Sequence, residues 1–288
     1  MKKKQPLVSI VTPAYNVENK VKRYLDSILF QTYKNIELIF VNDGSTDNTE
    51  KIFLVYKKKF EKKGIKVKYI YQKNKGLGGA INTGLKLITG EYFVWPDADD
   101  FLTNDSIEVK VNFLVKNKSI AVVSSDAYIF NEDNLFKPIK KIADYYPKIN
   151  KKNQFQLLLE ENSIFCPGCH MVRISALREV NPKLEIYEAR HGQNWQILLP
   201  LYYKFDHFFL KKPLYNYVIY KNSMSFLGNN FYKKIMRVSE HKKIINNTLK
   251  CIKMTKKEYK KYKKLVSSRF FKAKKDLFLN FLKSIFYS

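Results

Sequence analysis

Glu91-Tyr92-Phe93-Val94-Trp95-Pro96-Asp97-Ala98-Asp99-Asp100 carries an apolar run straight into three carboxylates within four positions. The run reads as a buried strand. Three adjacent carboxylates repel one another and are costly to desolvate, so stability alone gives no reason to set them at a strand end. A bound divalent cation removes that conflict. Hard oxygen ligands suit Mg²⁺ or Mn²⁺, which proteins usually hold through one or two carboxylates plus substrate phosphates. The competing reading is a solvated Asp-rich turn or helix cap.

Outward from this stretch, strand and helix signals alternate over the first ~125 residues. Strands are expected at Leu7–Thr12, Ile36–Val41, Val67–Tyr71, Tyr92–Trp95 and Ile120–Ser124. Helical periodicity is expected over Val17–Phe30, Leu77–Ile88 and Ile107–Val115, with a further helix capped by Ser45 or Asp47. Such alternation indicates βαβ units and a mostly parallel sheet, in which ligands bind beyond the carboxyl ends of the strands. The unusual polar clusters fall at those ends: Thr12–Asn16, Asn42–Asp47, Asn74–Gly79 and Asp97–Asp100. Their common placement argues for one site. The glycines at 76, 78 and 79 do not meet the dinucleotide pattern, because position 81 is Ile; they suit a helix N-terminus open to an anion or needing backbone freedom.

The chain has 288 residues, 45% hydrophobic, enough for one large α/β domain with a tail. Its net charge is +27. Lys, Asn, Ile, Tyr and Phe are all abundant, as AT-rich coding produces, and this accounts for part of the basicity. The last 60 residues hold 18 Lys/Arg against three Asp/Glu and end in a Phe- and Leu-rich segment, so the tail reads as a basic helical extension. No apolar run approaches the ~18–20 residues of a membrane span. The stretch after Met1-Lys2-Lys3-Lys4 is short for a signal peptide, so a cytoplasmic chain is expected. Three cysteines argue against a disulfide framework. Cys166-Pro167-Gly168-Cys169-His170 matches the haem-attachment pattern, but ordinary buried or half-buried thiols in a loop are expected.

Four motifs, in order, carry a resemblance: Val8-Ser9-Ile10-Val11-Thr12-Pro13-Ala14-Tyr15-Asn16, Val41-Asn42-Asp43-Gly44-Ser45-Thr46-Asp47, Asn74-Lys75-Gly76 with Ala80-Ile81-Asn82-Thr83-Gly84, and Asp97-Ala98-Asp99-Asp100. Together they resemble family 2 glycosyltransferases. The resemblance implies the GT-A fold, an α/β Rossmann-like, mostly parallel sheet flanked by helices. It implies a GT-A domain over 1–228, with a nucleotide-sugar-binding half (5–130) and an acceptor half (131–228), followed by the basic helical extension over 229–288. It also implies a UDP-sugar donor and a Mn²⁺ or Mg²⁺ ion. Asp99 would ligate the metal, Asp97 would contact the ribose and support the metal, and Asp100 would orient donor hydroxyls. Asp43 would accept from the uracil ring, and Thr12, Pro13 and Tyr15 would line the base pocket, with Asn74 and Gly76 also on the donor side. Tyr217–Ser225 resembles the late segment that closes over the diphosphate, with Lys221 toward phosphate.

Members of this family invert the anomeric centre and need a general base. They usually carry Glu-Asp at the start of a helix in the acceptor half, and the matching positions here are Gln193-Asn194. Neither amide acts as a base at neutral pH. Glu188 and His191 are the nearby candidates. Gln193, Asn194 and Trp195 are candidate acceptor-binding residues, by hydrogen bonds and stacking. The expected acceptor is a glycan or lipid-linked precursor of a bacterial capsule, lipopolysaccharide or other surface polysaccharide. The basic tail is expected to associate with the anionic inner leaflet at the cytoplasmic face of the inner membrane. Two alternatives remain open: a sugar-nucleotide-binding partner that does not transfer, and a nucleic-acid-binding protein, which the Asp cluster and the lack of nucleic-acid motifs disfavour.

Overall fold

The computed structural model describes residues 5–149, 153–221 and 230–286, with side chains described through Phe281. The first half alternates as β1 (Val8–Ala14), α1 (Val21–Leu29), β2 (Ile36–Asn42), α2 (Thr49–Lys62), β3 (Lys66–Tyr71), α3 (Gly76–Leu85) and β4 (Tyr92–Val94). Every residue of β1, β2 and β4 is buried. Helices cover both faces of this part of the sheet, which is why these strands read as unbroken apolar runs. β3 lies at the edge, partly exposed, and its Lys66 and Lys68 blunt that edge. Gly84 lets α3 lie against β1, since a Cβ there would stand 2.2 Å from Val11 Cγ1.

The chain continues through β5 (Phe101–Leu102), α4 (Ser106–Lys116), β6 (Ile120–Asn131), β7 (Lys140–Lys141), α5 (Gln154–Leu159), β8 (His170–Arg173), α6 (Ile174–Val180), α7 (Gln193–Lys204) and β9 (Asp206–Ile219). One sheet runs in the order β3-β2-β1-β4-β8-β6-β9-β5, with β7 paired to β6. β1 to β4 are mutually parallel, and β6 and β9 are parallel to each other. β8 is antiparallel to both β4 and β6, and β5 is antiparallel to β9. This is the α/β arrangement with a mainly parallel sheet that the motifs implied. Its consequence for the site is specific: Phe101 and Leu102 pair with Asn216 and Tyr215, so the end of β9 comes back against the Asp cluster.

The basic C-terminal part is helical, as expected, in α8 (Phe231–Cys251) and α9 (Lys256–Phe286). The two form an antiparallel hairpin, with Phe231 stacked on Phe281 at 4.4 Å between ring centroids. Its turn end is part of the core. Ile244, Ile245, Leu249, Tyr262, Val266 and Phe270 are buried together with Trp195, Leu198 and Leu199 of α7. Cys166 and Cys169 are buried free thiols on a short 3₁₀ turn, and Cys251 is exposed. No described helix is long and apolar enough to cross a membrane.

Candidate active site

The Asp cluster leaves β4 through Trp95, which is 1% exposed and donates its indole N–H to Asn194 Oδ1 at 2.7 Å. One carboxylate oxygen from each of Asp97, Asp99 and Asp100 falls within 4.8 Å of the others. The three residues differ in how they are held. Asp100 is 1% exposed; one oxygen accepts the Tyr215 hydroxyl at 2.9 Å and the other the Val218 N–H at 2.8 Å. This corrects the expectation that Asp100 orients donor hydroxyls. Its oxygens face the protein, and they tie β9 to the acidic loop. Asp99 is held by its backbone: its carbonyl accepts Arg23 Nη2 at 2.8 Å and the Tyr220 hydroxyl at 2.7 Å. Its carboxylate lies 3.9 Å from Lys20 Nζ. Among the described residues, no donor bonds the carboxylate of Asp97.

Desolvation, reinforced by the neighbouring Asp99 charge, pushes the Asp97 carboxyl up to about 8. Desolvation also raises Asp99, against the lowering pull of Lys20 and Arg23. Asp100 is raised well above the carboxylate range by burial and then by its two acidic neighbours. Asp97 and Asp99 are nonetheless only half-buried, with part of each side chain open to solvent. Two converging, partly open carboxylates that stay charged only at a cost are a fitting donor set for a hard divalent cation such as Mn²⁺ or Mg²⁺. Asp97 and Asp99 would be its protein ligands.

The residues expected on the nucleotide side lie at the ends of β1 and β2. Asp43 is 3% exposed, and its Oδ1 accepts both Gln72 Nε2 at 2.7 Å and the Lys75 N–H at 2.9 Å. Both bonds fall on one oxygen. Tyr15, 49% exposed, directly follows the end of β1. Thr12 and Pro13 are buried, and the Thr12 hydroxyl pairs with the hydroxyl of Tyr24. The expectation that Thr12 lines the base pocket is therefore corrected: its side chain is inside β1–α1 packing. The N-terminus of α3 is likewise filled by protein acceptors. Asn74 Oδ1 takes the Gly76 N–H at 3.1 Å, and the Gly78 N–H goes to Ala189 O at 2.8 Å. The glycines serve close approach, since a Cβ on Gly78 would meet Ala189 N at 2.7 Å, and Gly76 (φ +76°) packs against Arg190. Two of the N–H groups at this helix start are therefore already taken within the protein, that of Gly76 by Asn74 and that of Gly78 by Ala189.

That loop leads into the residues expected on the acceptor side. Asn82 clamps it through two bonds with the Ile186 backbone, at 2.7 and 2.8 Å. Glu188 is exposed and, among the described residues, without a partner. His191 Nε2 lies 2.8 Å from Glu240 Oε2, and His191 Nδ1 is buried without a partner. Neither nitrogen is offered to an incoming hydroxyl, which corrects His191 as a candidate base. Asn194 is 2% exposed; it accepts from Trp95 and donates to Phe165 O at 2.6 Å. Trp195 is 2% exposed and packs on Phe165 and His241. Both are corrected as acceptor-binding residues, since their surfaces are consumed by packing. Gln193, at the first position of α7, is 6% exposed. Lys221 is 74% exposed and pairs with Asp133 at 2.8 Å. The rest of its segment, Asn222 to Ser225, lies outside the described residues.

Sequence reasoning missed Lys20, Arg23, Tyr215 and Tyr220. Lys20 and Arg23 look like ordinary charges near the start of an amphipathic helix. Tyr215 becomes relevant only through the β5–β9 pairing, which no local pattern encodes, and Tyr220 lies in the late segment that the sequence singled out without a role for this side chain.

Residues 9–180 match the model of the family described as glycosyl transferase family 2. An uncharacterized glycosyltransferase of Rickettsia conorii is 37% identical over 191 residues, covering 63% of this chain and 30% of that protein. The chain thus spans about a third of that relative's length. Among solved structures, S. aureus TarS 1-349 in complex with UDP-GlcNAc aligns with a TM-score of 0.67 at 16% identity, covering 92% of this chain and 73% of that one. The mannosyltransferase PcManGT from Pyrobaculum calidifontis, in complex with GDP-Man and Mn²⁺, aligns with a TM-score of 0.62 at 17% identity, covering 96% of this chain and 74% of that one. At such identities these two likenesses speak for the fold alone. The chain belongs to glycosyl transferase family 2.

Proposed function

We propose that this chain is an inverting, metal-dependent glycosyltransferase that moves a sugar from a UDP-sugar to a glycan or lipid-linked acceptor in bacterial surface-polysaccharide synthesis. The observation that carries the reading is the paired, partly open Asp97 and Asp99 carboxylates past the end of β4, with no donor on Asp97 among the described residues and with Asp43 at the same end of the parallel strands. The bound UDP-GlcNAc of TarS and the GDP-Man and Mn²⁺ of PcManGT support a sugar-nucleotide donor with a divalent cation.

In this reading Asp97 and Asp99 hold Mn²⁺ or Mg²⁺, which neutralises charge on the departing diphosphate. Asp43 offers its Oδ2 to the base, and Tyr15 covers it. The acceptor oxygen bonds to the anomeric carbon as the bond from that carbon to the diphosphate oxygen breaks, and the configuration inverts. The hydroxyl proton goes to the base. Glu188 is our assignment, because it is exposed and unengaged among the described residues while His191 is committed to Glu240. The basic C-terminal helices hold the enzyme at the anionic cytoplasmic face of the membrane, where a lipid-linked acceptor resides.

One observation favours a second reading: Asn194 is locked between Trp95 and Phe165, and no carboxylate stands at the first turn of α7. A chain of that kind binds donor and transfers sugar poorly. Incubation with a panel of UDP-sugars, Mn²⁺ and glycan or lipid-linked acceptors separates the two readings. Transferase action gives acceptor-dependent UDP release that falls in Glu188→Gln. Donor binding without UDP release for any pair assigns the chain to the second reading.

A further inference from the structure

The outer end of the C-terminal hairpin differs in surface chemistry from its turn end. Phe231 of α8 contacts Phe278 and Phe281 of α9, which sets the start of α8 beside the end of α9. Around that contact Tyr232 is 75% exposed, Met236 63%, Phe271 73%, Phe278 50% and Leu279 44%. Phe271, Lys274, Lys275 and Phe278 fall on one stripe of α9 by helical spacing, and Tyr232 and Met236 fall one turn apart on α8. Lys233, Lys272 and Lys275 are exposed and Lys234 and Lys274 half-buried among these side chains, and among the described residues none of the five is in an ion pair. Asp276, exposed, is the acidic residue in this stretch of α9 and lies off the Phe271–Phe278 stripe by helical spacing.

Large apolar side chains left in water beside unpaired lysines are the chemistry of a helix that lies in a lipid headgroup layer. Apolar tips enter the acyl boundary, and the ammonium groups meet anionic headgroups. A solvated tail needs the lysines but not the aromatics. We propose that this end of the α8–α9 hairpin is a docking surface for an anionic lipid membrane. The inference deepens the membrane element of the proposed function by naming the residues that make the contact.

The position of the surface also has a use. From Met236 to Glu240 is one turn of α8, about 6 Å along the axis. Glu240 and His241 contact His191 and Trp195, and Asn194 beside them bonds Trp95, two residues before Asp97. A rigid packed path therefore joins the lipid-facing end to the acidic loop, and docking would fix the cleft relative to a membrane-embedded acceptor.

The test uses the full chain in cosedimentation with vesicles of phosphatidylglycerol in phosphatidylcholine, and with phosphatidylcholine alone. Binding is expected to the anionic vesicles, weakening with salt, and to be at least tenfold weaker with phosphatidylcholine alone. Tyr232→Ser/Met236→Ser/Phe271→Ser and Lys272→Glu/Lys275→Glu should each lower vesicle binding about tenfold or more. These side chains are exposed, so melting temperature and UDP-sugar binding in solution should stay at wild-type values. No binding to anionic vesicles overturns the proposal, as does equal binding by wild type and both variants. Capture of a DNA or RNA oligonucleotide with no vesicle binding overturns it in favour of a nucleic-acid surface. Loss of UDP-sugar binding in the wild type would sink the donor reading and leave the lipid result standing.

Discussion

The two sides of the cleft spend their polar residues differently. On the proposed donor side part of the polar capacity is left unused: among the described residues no donor bonds the Asp97 carboxylate, Asp99 is half-buried, and the buried Asp43 uses one oxygen for its internal bonds. On the acceptor side the groups at the corresponding helix start are consumed. Asn194 bridges Trp95 and Phe165, Trp195 is buried under His241, and His191 is paired with Glu240 of the C-terminal hairpin. The same sheet thus carries converging carboxylates at one set of strand ends and, at the start of α7, polar side chains already engaged by the protein. A motif position read from a family pattern gives a residue's place, but only its hydrogen-bond partners tell whether the residue is free to act.

The largest effect belongs to the donor side. Asp99→Ala and Asp97→Asn should each lower transfer by about 100-fold or more, the loss seen when a charge-stabilising group leaves an active site. Steady-state UDP release measures it. On the acceptor side, Glu188→Gln should lower kcat by about 100-fold while donor affinity stays unchanged, as expected for loss of a general base. An unchanged kcat would remove Glu188 from the mechanism and favour the poor-transfer reading.

Smaller effects probe the closure of the acceptor side. Gly192 has φ +84°, and a Cβ there would stand 2.9 Å from Ile244 Cδ1 of α8. Gly192→Ala should cost about 1–3 kcal/mol in chemical denaturation, and a neutral result would mean that α8 does not press on this turn. Asn194→Asp removes the donor to Phe165 O and should destabilise by about 1–3 kcal/mol without raising transfer. A rise in transfer would show that the helix start still reaches the acceptor.

The last effect is a pH dependence at His170, modest near neutral pH; the residue is 0% exposed and stacks on Trp95 at 5.9 Å. Burial pushes its imidazole down from 6.5 to about 3. The unfolded chain therefore binds a proton below pH 6.5 that the folded chain does not. This contribution is full above pH 6.5 and is lost as pH falls toward 3, at up to about 1.4 kcal/mol per pH unit. His170→Phe should lose less stability than wild type between pH 7 and 5, measured by denaturant titration. Equal losses would mean that His170 is reached by water.

Much of the donor half was legible because its physics is local. Buried strands read as apolar runs, and Asp43 and Asp97 to Asp99 follow strands directly. The helix α3 was legible too, although the use of its glycines was not: Gly76 and Gly78 meet a loop more than 100 residues away in sequence. Asp100 was misread for the same reason. Its partners, Tyr215 and Val218, arrive through a non-local strand pairing. The C-terminal tail was readable as basic and helical. That its turn end shares the core of α7, while its outer end carries exposed aromatics, depends on packing that charge and composition do not report.

The most direct measurement is isothermal titration calorimetry of UDP into the wild type and Asp99→Ala, each with Mn²⁺ and with EDTA. The wild type should bind UDP only with Mn²⁺, and Asp99→Ala should bind at least tenfold more weakly under the same conditions. UDP binding that ignores both EDTA and the substitution would contradict the claim that Asp97 and Asp99 form the metal and donor site.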